Sequence, residues 1–143
     1  MKSKPIVMEH FFTTHTSFVL DFEFENNITI LTGDSGTGKT VSFSFIKECM
    51  VLNPDIVCLN YLDYQKNIGN IIRNTEKKLI VIDNADILLD DDTRKYIALD
   101  DKNQYLIIGR NPKNLFVTKE NLFELVSEKQ GEQTILRLKD YMT

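Results

Sequence analysis

The octapeptide Gly33-Asp34-Ser35-Gly36-Thr37-Gly38-Lys39-Thr40 constrains this chain more than any other stretch. It matches G-x-x-x-x-G-K-[S/T] in full, and such a loop works in one local setting, with a strand before it and a helix after it. Both are legible. Ile28-Thr29-Ile30-Leu31 precedes it as a short apolar run. A helical pattern from Lys39 to Met50 follows and stops before Asn53-Pro54, where proline cannot continue a helix. Glycines let the backbone curl and point several N–H groups inward. The helix that follows adds the positive end of its dipole, and Lys39 adds a full charge. The result is a cradle for phosphate oxygens. Residues Gly33 to Thr40, with Val41 in the first helical turn, are the expected contacts to a nucleotide. Lys39 is expected at the β- and γ-phosphates, and the Thr40 hydroxyl on Mg²⁺.

Three further apolar runs occur, Ile56 to Leu59, Leu79 to Ile82 and Tyr105 to Ile108. Nearly continuous apolar character over so few residues predicts strands covered on both faces. Helical patterns lie between them. Tyr64, Ile68, Ile71 and Ile72 predict a helix around residues 62–74. Residues 91–99 form another, with Asp90, Asp91 and Asp92 placed to favour its dipole. The alternation predicts an α/β domain with a mostly parallel central sheet flanked by helices. The ends read differently. Phe18, Leu20, Phe22 and Phe24 alternate with acidic residues in a half-buried strand, expected to pair with the Ile28 run as an antiparallel hairpin. Residues 122–127 and 134–138 predict a C-terminal β-hairpin with Gly131 at its turn.

A chain of 143 residues suits one domain, taken as residues 1–143. Its formal net charge of -4 gives no overall electrostatic footprint for nucleic acid. No apolar run approaches a membrane span, and the first residues do not read as a secretion signal. Cys49 and Cys58 have no metal or redox spacing and are expected as buried free thiols, which suits the cytoplasm. His10 and His15 are too few for a metal site by themselves. Phe11, Phe12, Phe18, Phe22 and Phe24 are expected in the core, and Tyr61 and Tyr64 on a packed helix rather than against a base.

Residues 28–50 resemble the Walker A unit of the P-loop NTPase superfamily. The resemblance implies a nucleotide site at the carboxyl edge of a parallel sheet, with ATP, or another nucleoside triphosphate, and Mg²⁺ as cofactors. Leu79-Ile80-Val81-Ile82-Asp83 is similar to a Walker B strand, whose terminal aspartate holds Mg²⁺ opposite Thr40. Many of these ATPases carry Glu next, to polarise the attacking water, and here Asn84 stands in its place. Asp86 is the alternative water-orienting carboxylate, or else a helix cap. Tyr105 to Ile108 running into Gly109-Arg110-Asn111 resembles the sensor strand of AAA-type and STAND-type ATPases, which implies Arg110 or Asn111 facing the γ-phosphate. The strand before the loop resembles ABC-type and SMC-type ATPases, but no L-S-G-G-Q-like signature follows. Three functions compete: a slow Mg²⁺-dependent ATPase switching with a protein partner or in a homo-oligomer, a non-hydrolysing nucleotide sensor or assembly subunit, and a small nucleotide or metabolite kinase.

Overall fold

The computed structural model describes residues 4–32, 38–63, 65–109 and 119–141. Among the described residues there are eight strands: β1 (His10–His15), β2 (Phe18–Glu23), β3 (Ile28–Thr32), β4 (Ile56–Leu59), β5 (Leu79–Ile82), β6 (Gln104–Ile108), β7 (Leu122–Gln130) and β8 (Gln133–Asp140). The α-helices among the described residues are α1 (Lys39–Cys49), α2 (Ile68–Arg73), α3 (Ala85–Leu88) and α4 (Asp91–Leu99). The strands form a single sheet in the order β1-β2-β8-β7-β3-β6-β5-β4.

This sheet corrects the expectation of a mostly parallel layer flanked by helices. It is mixed, curls into a half-barrel and carries few helices. Two antiparallel hairpins, β1/β2 and β7/β8, are built into it, and parallel pairing of β2 with β8 joins them. The curl has a packing cause. Phe11, Leu20 and Phe22 from the hairpin end share one apolar cluster with Phe43 and Ile46 of α1 and with Cys58 of β4, so both edges of the sheet wrap toward the same helix. On the opposite face Ile68, Ile72 and Ile97, from α2 and α4, cover Ile30, Ile80 and Tyr105. Strands β5 and β6 are buried throughout for this reason.

The expected hairpin between β2 and β3 does not exist, because β8 and β7 lie between them. Residues 24–27 instead connect β2 to β3 past the ends of those strands. Asn26 and Asn27 are buried there, and their side chains hold the connection: Asn26 Nδ2 donates to the Glu120 carbonyl, and Asn27 Nδ2 to the Asn103 carbonyl. The C-terminal hairpin forms as expected, with Gly131 between its strands. The helix expected over 62–74 is shorter. Tyr61–Asp63 is a 3-10 turn, and α2 starts at Ile68, where the Asn67 side chain accepts from the Asn70 N–H.

Candidate functional site

Strands β3, β5 and β6 run parallel, so the segments leaving their carboxyl ends lie at one end of the sheet. From β3 the chain crosses to the far edge at β4, steps back through β5 and β6, and then lands on the other side of β3 as β7. A crevice is expected at the carboxyl ends where connections diverge in this way. A cleft of about 730 Å³ opens there, with Lys39, Thr40, Asp83, Asn84 and Asp86 among the residues that line it.

The Lys39 side of the cleft is built by α1. Gly38 precedes the helix at φ 97, a backbone region that L side chains rarely adopt, and a Cβ there would stand 3.2 Å from Leu125 Cδ2. The first turn has no acidic residue and no side-chain cap, so the N-terminal N–H groups keep their positive end toward the cleft. Gly38, Lys39, Thr40 and Val41 all line it. Gly33, Asp34, Ser35, Gly36 and Thr37 lie outside the described residues, as do Tyr64, Arg110 and Asn111.

Asp83 follows β5 directly. Its N–H donates to the Leu59 carbonyl at 2.9 Å, which extends the ladder with β4 by one residue. Burial pushes its carboxyl above the usual carboxylate range, against the Asn84 N–H bond and the nearby Lys39 charge. The two residues singled out from separate motifs are thus close enough to interact. Asn84 then takes a left-handed conformation, φ 56 and ψ 40, and starts the single turn of α3. That turn carries Asp86 into the cleft. A Cβ on Gly109, at the exit of β6, would meet Asp86 Oδ1 at 3.1 Å, so Asp86 and this exit are in close approach.

Three contributors were not singled out in the sequence. Ile87 and Ile108 add apolar wall. Arg94, whose side chain is 12% exposed, donates from Nη2 to the Asp86 carbonyl at 3.3 Å and ties α3 to α4. No local pattern announces them, since each acts across a tertiary contact. Several other expectations separate from the cleft. Phe12 and Tyr61 are each 58% exposed rather than packed. His10 pairs with Asp21 and His15 with Glu48, and no group of three or more His, Cys, Asp or Glu able to hold a metal occurs among the described residues. Cys49 and Cys58 are free, and burial pushes the Cys58 thiol up to about 12.

No protein-family model matches the chain, and a search of curated proteins finds no match. No helix among the described residues is long and apolar enough to cross a membrane.

Proposed function

We propose that this protein binds ATP, or another nucleoside triphosphate, with Mg²⁺ in the cleft at the start of α1, and uses slow hydrolysis to switch its conformation with a protein partner or a second copy. The observation that supports this reading is convergence. Lys39 and Thr40, from the phosphate-loop motif, and Asp83, from the acidic strand, line one cleft at one end of the sheet. A triphosphate needs positive charge and N–H donors, and the start of α1 carries both kinds of group.

The residues also suit Mg²⁺. It takes oxygen ligands and keeps several waters and phosphate oxygens, so one hydroxyl and one carboxylate are a sufficient protein contribution. Thr40 and Asp83 would hold it, and when bound it would neutralise charge on the phosphates. Asp86 is the carboxylate in the cleft that would orient a water, and Arg110 a further cation toward the γ-phosphate. Free thiols at Cys49 and Cys58 fit a reducing cytoplasmic setting.

One observation favours the non-hydrolysing sensor as second reading. The residue after Asp83 is Asn84, which cannot accept a proton from water. Calorimetric titration of Mg²⁺-ATP into the wild type and Lys39→Ala tests the binding claim. Saturable binding that weakens at least about a hundredfold in Lys39→Ala is expected, given the loss of a charge-assisted contact. A wild type that binds no nucleotide sinks the proposal. Single-turnover hydrolysis then separates switch from sensor.

A further inference from the structure

We infer that β1 is a self-association edge, through which two copies of this chain pair as antiparallel strands about a two-fold axis at Phe12. Strand β1 ends the sheet and, among the described residues, has β2 as its only neighbour. Edge strands of soluble proteins are ordinarily guarded by shortness, by charge or by proline. The opposite edge, β4, is four residues long; β1 is six, with the sequence His-Phe-Phe-Thr-Thr-His. It holds no Lys, Arg, Asp, Glu or Pro, and Phe12 stands 58% exposed on it.

The ladder shows which backbone groups face outward. The Phe24 N–H donates to the Glu9 carbonyl at 2.8 Å, one step beyond the pair His10↔Glu23. Antiparallel pairs alternate between hydrogen-bonded and non-hydrogen-bonded. Phe11, Thr13 and His15 therefore spend their N–H and C=O groups on β2, and His10, Phe12 and Thr14 turn theirs away from the sheet.

A second copy satisfies these groups. A two-fold axis normal to the sheet keeps each face continuous, and Phe12 opposite itself makes a hydrogen-bonded pair. His10 then falls opposite Thr14 of the second copy, and the reverse. All three outward-facing residues are used, with two bonds in each of three pairs. In this register Glu9 falls opposite His15 of the second copy. Phe12 packs against its symmetry mate on the exposed face, a favourable cross-strand pair. Pairing one short strand buries little area, so the dimer belongs to the weak class, with a dissociation constant on the order of 10–100 µM. The pairing does not depend on the nucleotide reading.

Sedimentation equilibrium of the full chain across the micromolar range, with amide hydrogen exchange followed by NMR, tests it. The wild type is expected to dimerise with concentration, and the amides of His10, Phe12 and Thr14 to gain protection only then. Those of Phe11, Thr13 and His15 are expected to be protected in the monomer already. Thr14→Pro removes an outward N–H at a position where an edge strand tolerates proline, and Phe12→Glu sets like charges face to face. Each is expected to weaken the dimer at least about tenfold with an unchanged circular dichroism spectrum. A wild type that stays monomeric overturns the inference. So does a dimer in which those three amides exchange freely, or one that survives both substitutions.

Discussion

Asn84 sits at φ 56, in a backbone region that costs most L residues about 1–2 kcal/mol. Asn tolerates it better than Glu because its short side chain bonds locally, so the departure from the ATPase pattern at this position has a conformational counterpart. Its neighbour Asp83 carries a different cost. Burial raises the Asp83 carboxyl from its ordinary value of 3.8, so the folded chain holds this proton more tightly than the unfolded chain does. Stability therefore falls as pH rises from that ordinary value through the raised one, and at neutral pH the ionised carboxylate is a net burden. Asp83→Asn is expected to raise the Tm by a few degrees at pH 7 and to lose that advantage as the pH falls to about 3.8, while Mg²⁺-dependent nucleotide binding drops. Paired thermal melts across this pH range measure it. A lower Tm at pH 7 would show that Asp83 is held by favourable contacts instead.

The elements most legible in the sequence are the four apolar runs, which became β3, β4, β5 and β6 within one residue of their expected ends. They were legible because burial on both faces removes polar residues from the run itself. The strands at the hairpin end were less so. Alternation in residues 18–24 says which face of β2 is buried but not which strand lies beside it, and β8, its parallel partner, comes from the far end of the chain. Strand β1 was missed because Phe11 and Phe12 break the alternation, one buried and one exposed. Gln104 was also passed over, although it fixes the segment leading into β1. Its Oε1 accepts from the Val7 and Met8 N–H groups at 3.0 and 2.9 Å, and its Nε2 donates to the Met8 carbonyl at 2.9 Å. Gln104→Ala would leave three backbone groups without these partners, and a loss of about 2–3 kcal/mol is expected. Urea denaturation measures it, with an unchanged m-value expected if the fold is otherwise kept.

At the scale of the molecule, the curled sheet brings hairpin end and candidate site onto the same helix. His15 of β1 stacks on Phe45 of α1 with ring centroids 4.5 Å apart, and its Nε2 lies 3.0 Å from Glu48. The same helix begins with Lys39 and Thr40 in the cleft. The motif residues were readable because phosphate cradling is a local backbone property. The approach of Asp86 to Gly109 and the Arg94 tie were not, because both depend on how α3, α4 and β6 meet. Since the site gathers segments from β3, β5 and β6, a ligand there is coupled to global unfolding rather than to one loop. Mg²⁺-ATP at about a hundred times its dissociation constant is therefore expected to stabilise the fold by about 2.7 kcal/mol, or roughly 10 °C in Tm for a chain of this size. Lys39→Ala, binding about a hundredfold more weakly, is expected to gain no more than about 0.4 kcal/mol at the same nucleotide concentration, or roughly one to two degrees. An equal rise in that variant would mean that ATP acts through weak surface binding, since the lysine proposed to select triphosphate in the cleft would then be irrelevant. No rise in the wild type would place binding, if it occurs, away from the elements that unfold cooperatively.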